Sequence, residues 1–362
     1  MPKPAPSLNW LLVFVPISLA AEFVLRQPVV VFITACLAIV PLAGLIGAAT
    51  EQLADRAGPT VGGLLNATFG NVTELIIGIL LVWASEFEVV KASLIGSILG
   101  NLVLVLGAAY LAGGLRHRSG GQRFDAKAAR AHSTSLLLAV AGMIMPAVFV
   151  QFSQVETSAQ KETISLVVAA VLIVLYVAAL VYSLRGSGWN GDRPAGPART
   201  RLTSEDAKPR WSARKAVLVL MATAVVVGIE SELLVGSLEP TLQALHLSKV
   251  FVGMFVIAFV GNVAEHASAV VFALRNKMDI AIEIAFNSST QIALLVAPLL
   301  VFVSLLAPQH MDFIFISIEL AAVTLATLIV SVIAMDGRSN WLEGAQLLGV
   351  YVILAVSTLF VA

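Results

Sequence analysis

The chain contains few of the residues on which many soluble functions depend. Only 12% of its 362 residues are charged, and it has a single cysteine, Cys36, and five histidines. One cysteine excludes an internal disulfide framework and a cysteine-based metal site. The 22 basic residues are balanced by 22 acidic residues, so the chain lacks the positive excess that a nucleic-acid backbone requires. We therefore expect no nucleic-acid partner.

Hydrophobic residues, by contrast, are present in excess. They make up 59% of the chain even without glycine, whereas soluble domains contain about 45–50% apolar residues with glycine included. No globular domain of this length can bury so much apolar surface. The composition argues against a soluble enzyme or a disordered scaffold and predicts a membrane protein with many spans.

The apolar residues fall into runs of membrane-spanning length. A helix needs about 20 apolar residues to cross roughly 30 Å of hydrocarbon. Eleven runs predict eleven transmembrane helices, near residues 9–25, 28–49, 60–84, 89–114, 131–150, 163–184, 214–236, 249–274, 279–307, 311–335 and 341–361. The first run lacks a small-residue cleavage site, so we interpret it as a retained helix and not a signal peptide. The predicted fold is an all-α polytopic membrane protein.

Basic residues predict the orientation of the chain in the membrane. With eleven helices and a cytoplasmic N-terminus, 18 of the 22 lysines and arginines lie on the cytoplasmic side, as is typical of membrane proteins. The opposite side holds Arg26, Lys91, Lys161 and Lys249. We expect location in the cell (inner) membrane.

One polar segment divides the apolar runs into two groups. Residues 186–213 are rich in Gly, Pro, Arg and Ser, which predicts a flexible cytoplasmic linker. We expect an N-terminal transmembrane helix at 1–27, a first group of five helices at 28–185 and a second group of five at 214–362.

The two groups of helices contain a sequence repeat. The segment 70–74 (GNVTE) matches 261–265 (GNVAE), and Ser97 and Ser288 each lie 23 residues after the glutamate. The matching segments fall in the third and eighth predicted helices, which run in opposite directions. The sequence therefore predicts two inverted five-helix repeats preceded by one extra helix. Inverted repeats of this kind are typical of secondary transporters, whose ion sites lie near the bilayer midplane.

The repeat places acidic and amide side chains at membrane depth. Glu74 and Glu265 lie in the middle of apolar helices, where an acidic side chain costs on the order of 2.5–3.5 kcal/mol on insertion scales. Asn71 and Asn262 precede them by three positions, so each asparagine shares a helix face with its glutamate. The alternative is that the glutamates only hold helices together by hydrogen bonds. For the asparagines, a ligand role and a helix–helix hydrogen bond are equally open.

Small residues beside this face complete a predicted cation site. Gly70 and Gly261 have no side chain and allow another backbone to approach. The resulting ligands are oxygens, with no sulfur and at most one imidazole, that of His266. Hard cations such as Ca²⁺ prefer such ligands, whereas soft metals prefer cysteine or several histidines. We assign Ca²⁺ as the transported ion and expect no cofactor.

Two neighbouring carboxylates also predict competition between the cation and protons. Burial and mutual repulsion both favour their protonated forms, so protons and a divalent cation compete for one site. An empty, ionised pair is too costly to reorient, and the site crosses the membrane loaded with either ion. The sequence thus suggests a calcium/proton antiporter, with Ca²⁺, H⁺ and the lipid bilayer as partners and a possible homo-oligomer.

Other polar residues are candidates for the ion or proton pathway. Ser97, Ser288 and Gln291 are assigned to the pathway, with helix packing as the alternative for the serines. His266 is assigned as a ligand, a proton relay or a donor that orients Glu265. A further group comprises acidic residues of the second half: Glu230 and Glu232 belong to a vestibule or proton route, or lie near a helix end, and the roles of Glu283 and Glu319 stay open.

Several segments resemble one known family. The stretches 62–74, 90–101, 261–266, 273–279 and 288–291 are similar to the signatures of the calcium/proton (cation/proton) exchangers, within the calcium/cation antiporter superfamily. The resemblance is to the prokaryotic type. It implies the eleven-helix fold and implies that Glu74 and Glu265 bind the cation and carry protons.

Three other functions compete with proton-coupled antiport. A sodium-coupled calcium exchanger on the same scaffold would be expected to carry acidic residues where Ser97 and Ser288 stand. A cation channel would need a filter of carbonyl rings, which nothing in the sequence resembles. An intramembrane enzyme is disfavoured because no HExxH or paired catalytic motif stands out. We therefore expect the protein not to be an enzyme.

Overall fold

The computed structural model describes residues 8–117, 121–152, 157–185 and 211–359. These residues form eleven helical elements and one two-stranded sheet. The helices are α1 Leu8–Leu25, α2 Pro28–Phe69, α3 Val72–Trp83, α4 Phe87–Arg116, α5 Ala126–Phe152, α6 Ser158–Arg185, α7 Ala213–Leu245, α8 Lys249–Leu274, α9 Met278–Ser304, α10 Ser317–Ile333 and α11 Trp341–Leu359. The strands are β1 Gln122–Arg123 and β2 Arg338–Ser339, which pair antiparallel. Most of the predicted linker, 186–210, lies outside the described residues.

The predicted all-α polytopic membrane fold is confirmed. In the described part of the chain ten helices are long and apolar enough to cross a membrane, and α3 is a shorter apolar helix. The carbonyl of Ala54 closely approaches Gly62. Residues eight apart in a straight helix would be about 12 Å apart along the axis, so α2 turns sharply between them. Its last part and α3 together form the eleventh crossing.

Two predicted helix boundaries need correction. The run 60–84 is not one helix, because it is interrupted at Gly70 and Asn71, and Asn71 has φ −110° and ψ 29°. The run 311–335 becomes helical only at Ser317. Hydrophobicity alone extends this span too far, because apolar residues of the preceding connection, such as Phe313, are buried without being helical.

One end of the bundle, here called the Gln122 end, contains described parts of the loops predicted to be cytoplasmic. The Gln122 amide donates to the Ala273 carbonyl at 2.7 Å and to Asn276 Oδ1 at 3.0 Å. At the same end of the helices, the Arg56 side chain donates to the carbonyl of Trp211. The Gln122 contacts and the β1–β2 pairing join the connections after α4, α8 and α10, and the Arg56 contact joins the turn within α2 to the segment before α7.

The opposite end, here called the Lys249 end, contains the connections after α3, α7 and α9. Lys249 forms ion pairs with Glu86 at 2.8 Å and Glu239 at 3.2 Å, and Lys91 pairs with Asp312. Successive helices thus alternate in direction, and α3 and α8 run in opposite directions.

Local sequence signals explain several helix ends. The Ser212 and Ser248 hydroxyls accept hydrogen bonds from backbone N–H groups in the first turns of α7 and α8. Such serine caps satisfy N–H groups that have no partner within the helix. At the C-terminal ends of α1 and α7, Arg26 and His246 adopt left-handed backbone conformations, which end these helices.

The helices that follow the repeat motif widen at equivalent positions. The segments Gly100–Val105 in α4 and Ile292–Val296 in α9 are π-helical. They follow Ser97 and Ser288, which are equivalent in the two halves. Wider turns of this kind are rare and frequently lie at functional sites. The symmetry of sequence therefore extends to an unusual local structure.

The buried side chains form a large core and a smaller separate one. The large core contains side chains from every helix from α2 to α11. The smaller core lies between α2 and α7 and consists of Leu42, Ile46, Ala49, Leu220 and Val227. Although α2 and α7 both contribute residues to the large core, they also have an apolar contact surface of their own.

Glycines allow α4 and α8 to cross at very short distance. A Cβ atom at Gly96 would collide with the backbone of Met254, and one at Gly253 would lie 2.8 Å from the carbonyl oxygen of Val89. Each helix thus contributes one glycine to the crossing. Since backbone atoms face both glycines, neither position can accommodate a larger residue without moving a helix.

Gly96→Ala should therefore lower the thermal stability of the purified protein. We expect a clear fall in Tm, because the added methyl group must separate α4 from α8. Gly349→Ala is the matched control, since Gly349 is helical and has no atom within 4 Å of the added Cβ. Alanine has the higher helix propensity, so the control should keep or raise its Tm. Equal melting curves for both variants would contradict this account.

Candidate functional site

The candidate site is formed where the two repeat helices, α3 and α8, meet. Glu74 lies in the first turn of α3, just after the interruption at Asn71, while Glu265 lies within the continuous helix α8. The Glu74 side chain packs on Gly261 of the other half. Its Cγ and Cδ atoms lie 3.1 and 3.5 Å from the position that a Cβ of residue 261 would occupy. Any side chain at 261 would displace the Glu74 carboxyl group.

The two glutamates lie near the same contact, because Glu74 packs on Gly261 and Glu265 follows Gly261 by one helical turn. Both residues are partly buried, and the structure buries Glu74 Oε1 and Glu265 Oε2 without a hydrogen-bond partner among the described residues. Such buried acceptor oxygens are suited to bind a cation or to carry a proton.

Each repeat asparagine forms a hydrogen bond with the serine of the opposite half. The Asn262 amide donates to Ser97 Oγ at 3.0 Å, and Ser288 Oγ donates to Asn71 Oδ1 at 3.2 Å. All four side chains are buried. The inverted repeat is therefore visible as two equivalent hydrogen bonds that join the halves around the glutamates.

Two more amides extend this network, one of them not expected from the sequence. The Asn71 amide donates to Gln291 Oε1 at 2.6 Å, and the amide of Asn101 donates to Ser288 Oγ at 2.9 Å. Gln291 was a predicted pathway residue, whereas Asn101 was not. An amide in an apolar helix four positions after Ser97 was the available signal, because it lies on the same helix face.

The atoms around the glutamates that could bind a cation are oxygen atoms of carboxylate, amide and hydroxyl groups. Within the described ranges no group of three or more His, Cys, Asp or Glu side chains could hold a metal ion. Besides the two carboxylates, Asn101 Oδ1 and Asn262 Oδ1 are buried acceptors without a partner in the described structure. This mixture suits a hard cation better than a soft metal.

A small cavity borders Glu74 on the side of the Lys249 end. Its volume is about 10 Å³, which is about the space of one water molecule. The polar side chains at its wall are Glu74, Ser93 and Ser97, and the apolar ones include Ile77, Leu94, Ile257 and Leu300. Apolar side chains thus surround the carboxyl group on this side.

His266 directly follows Glu265 in the chain, and its side chain lies beside Gly100 of α4. Its side chain is buried, and neither ring nitrogen has a hydrogen-bond partner in the described part of the chain. Nε2 lies 3.5 Å from the position of a Cβ at Gly100, and the ring packs near Phe259. The structure thus places this imidazole between α8 and the π-helical segment of α4.

The remaining acidic candidates have other surroundings. Glu230 is fully buried and contacts Ser18 of α1, whereas Glu232 is exposed. Glu319 is buried and accepts a hydrogen bond from the backbone of Ile316 at the start of α10. Glu283 is partly buried in α9. None of the hydrogen bonds described for Glu230 and Glu319 leads to the Glu74–Glu265 pair.

An inverted pair of helices with facing carboxylates defines a class of membrane protein typical of secondary transporters. Comparison with known families makes the assignment specific. Residues 27–185 and 215–360 match the family described as sodium/calcium exchanger protein, and the chain belongs to this family. The membership predicted from the repeat motifs is confirmed.

Relatives with high identity cover nearly the whole chain. The Ca²⁺/H⁺ antiporter of Synechocystis sp. is 42% identical over an alignment of 364 positions, which covers 97% of this chain and 96% of the relative. The Ca²⁺/H⁺ antiporter ChaA of Bacillus subtilis is 41% identical over 346 residues, covering 94% and 95% of the two chains.

Solved structures support the same fold. The structure of native YfkE superimposes with a TM-score of 0.84 at 37% identity, covering 98% of this chain and 100% of YfkE. The H⁺/Ca²⁺ exchanger CAX gives a TM-score of 0.72 over 97% of this chain and 91% of its own, at 14% identity, which supports the fold alone.

The two serines should contribute unequally to stability. Ser288→Ala removes the hydroxyl that accepts from the Asn101 amide and donates to Asn71. Ser97→Ala removes an acceptor of the Asn262 amide, but this amide still donates to the Ala258 carbonyl. Each buried polar group left without a partner costs about 1–3 kcal/mol. Thermal unfolding in detergent should show the larger loss for Ser288→Ala. A larger loss for Ser97→Ala would refute the network described above.

Proposed function

We propose that this protein exchanges calcium for protons across the membrane and that Glu74 and Glu265 bind both ions. The observation that carries the proposal is the packing of the Glu74 side chain on Gly261 of the opposite half. Through this packing, carboxyl groups from the two repeats share one location in the bundle. The Ca²⁺/H⁺ antiporters that are about 40% identical to this chain support the choice of ions.

The proposed chemistry follows from the charge of the pair. When ionised, the two carboxylates supply a charge of −2, which one Ca²⁺ neutralises. Asn71 and Asn262 supply amide oxygens, and Gly70 and Gly261 leave room for the approaching helices. When two protons replace the cation, the charge of the site again becomes zero. The site is neutral in both loaded forms, and only these forms can reorient at low energetic cost.

The proposed exchange requires alternating access to the site. Apolar side chains border Glu74 toward the Lys249 end, so access in this conformation is expected from the Gln122 end. The helices α2 and α7 share a small apolar core and also pack on the large one, so we expect them to shift together along the other helices. We assign Ser97, Ser288 and Gln291 to the pathway and His266 to a proton relay or to orientation of Glu265.

The distribution of basic residues supports the direction of the proposed transport. Most of the basic residues that the structure describes lie at the Gln122 end, which would face the cytoplasm, together with the N-terminus, in the cell membrane. Calcium would leave the cytoplasm at this end, and protons would enter from the opposite side. Two protons per Ca²⁺ would move no net charge, so the membrane potential alone would not drive the exchange. Homo-oligomers are compatible with this scheme.

Neutralising either glutamate should abolish transport. Glu74→Gln and Glu265→Gln keep side-chain size but leave at most one negative charge for Ca²⁺ and one site for a proton. In proteoliposomes, calcium uptake driven by an imposed pH gradient should fall to the level of empty vesicles. Glu22→Gln, which removes an exposed carboxylate of α1, serves as the control and should transport normally. Near-normal uptake by either site variant would remove the pair from the mechanism.

Sodium-coupled exchange is the second candidate, because the matching family includes sodium/calcium exchangers. The absence of acidic side chains at Ser97 and Ser288 favours protons. We expect uptake driven by a pH gradient to be unchanged when sodium is replaced by a large organic cation. A sodium gradient without a pH difference should give no uptake. Sodium-driven uptake would reverse the assignment, and single-channel currents would indicate a channel.

A further inference from the structure

A second acidic group, distant in sequence from the proposed calcium site, is buried between α1 and α7. Glu230 of α7 and Ser18 of α1 are both 0% exposed. The hydroxyl oxygen of Ser18 lies 2.8 Å from Glu230 Oε1 and also 2.8 Å from the carbonyl oxygen of Val15. The other carboxyl oxygen of Glu230 is buried without a hydrogen-bond partner among the described residues.

Counting protons at this contact assigns the protonation state of the carboxyl group. A serine hydroxyl has one proton, so Ser18 can donate to only one of its two neighbours. If Glu230 were ionised, it and the Val15 carbonyl would compete for that proton, and one short contact would be repulsive. If Glu230 carries the proton, it donates to Ser18 Oγ and Ser18 donates to Val15. Only the carboxylic acid satisfies both contacts.

The charged groups around α7 provide no cation that could stabilise an ionised Glu230. The elements packed on it are α1, α2 and α3, and the described charged side chains on these elements and on α7 itself are Glu22, Arg26, Glu51, Asp55, Arg56, Glu74, Arg214, Lys215, Glu232 and Glu239. The cations among them are distant. Arg56 contacts Trp211, 19 residues or about 28 Å of helix from Glu230, and Arg214 and Lys215 lie 15 or more residues away.

The groups closer in sequence are mostly acidic. Glu232 and Glu22 are exposed, and Glu74 packs on Gly261. Arg26 lies eight residues after Ser18, about 12 Å along the helix, and is exposed. A negative charge on Glu230 would therefore be buried without compensation, which is unfavourable at membrane depth.

We propose that Glu230 is a second proton-binding site, which as a carboxylic acid fixes the N-terminal helix α1 to α7. Loss of its proton makes the Ser18–Val15 contact and the Ser18–Glu230 contact incompatible and leaves a buried anion. The contact then separates and α1 is released from α7 while it keeps its packing on α2. Low pH fixes α1 to α7, and high pH loosens this contact.

The position of α1 gives this contact a consequence for the rest of the bundle. Leu12 and Val15 of α1 pack against the small core between α2 and α7. The helix α1 also packs along α2, so it stays beside this pair in either protonation state. The proton on Glu230 would thus determine whether α1 is also fixed to α7, independently of ion binding at Glu74 and Glu265.

Hydrogen–deuterium exchange tests the attachment without using transport. The full-length protein in lipid nanodiscs is followed over a pH series without calcium, and rates are corrected for the intrinsic pH dependence of amide exchange. In the wild type, protection of residues 8–25 should fall about tenfold as pH rises, a factor that corresponds to one hydrogen bond of ordinary strength. Glu230→Gln cannot ionise, and its amide can still donate to Ser18, so protection should stay high at every pH.

Two further variants separate the contact from general effects. Glu22→Gln removes an exposed carboxylate from the same helix and should behave as the wild type. Ser18→Ala should show low protection at low pH as well, because the partner of Glu230 is lost. Protection that falls equally in the wild type and in Glu230→Gln would overturn the proposal, as would a wild type that shows no pH dependence.

Infrared spectroscopy reports the proton itself. At neutral pH the carbonyl band of protonated carboxylic acids should contain one component that is lost in Glu230→Gln and kept in Glu22→Gln, beside any contribution from Glu74 and Glu265. The same band in Glu230→Gln as in the wild type would show that Glu230 is ionised and would refute the assignment. Neither measurement depends on calcium transport, so a failure of the proposed antiport leaves this test unaffected.

Discussion

A carboxylate in the middle of a membrane must be matched by a cation or a proton, and this constraint organises the bundle. The helices place two such groups, Glu74 and Glu265, where α3 and α8 meet, and surround them with amide and hydroxyl groups. The surroundings contain no basic side chain that neutralises the pair permanently in the described structure. A compensating charge that is not built into the protein has to come from an ion, and an ion can be exchanged.

Much of the fold follows from hydrophobic runs and the repeat, because both are properties of sequence. The spans, their alternating direction and the facing of the two GNxxE segments could be predicted in this way. The partner of Asn101 and the contact between Ser18 and Glu230 could not, since residues 187 and 212 positions apart meet only through helix packing. The π-helical segments also have no simple sequence signal, although their equivalent positions reflect the repeat.

Packing glycines connect the fold to the site. Gly96 and Gly253 bring α4 and α8 to very short distance, and this crossing holds Ser97 within reach of Asn262. Gly261 in turn leaves the space that the Glu74 side chain fills. Glycine thus has two roles here: Gly96 and Gly253 allow two helices to pack closely, and Gly261 leaves space for the Glu74 carboxyl group. A sequence pattern shows that such glycines are present, but only the packing shows which atoms approach them.

The two halves carry nearly the same motif in different conformations, and this difference bears on how an inverted repeat can operate. The helix is interrupted at Gly70 and Asn71 and is continuous at Gly261 and Asn262. Since the local sequences GNVTE and GNVAE differ at one position, intrinsic preference cannot explain the difference. Packing on each half must therefore select the conformation. If each half could adopt the conformation of the other, the antiparallel pair would have two related arrangements that expose the carboxylates to opposite sides. The proposed alternating access requires such a pair of states, and the difference between these near-identical motifs agrees with it.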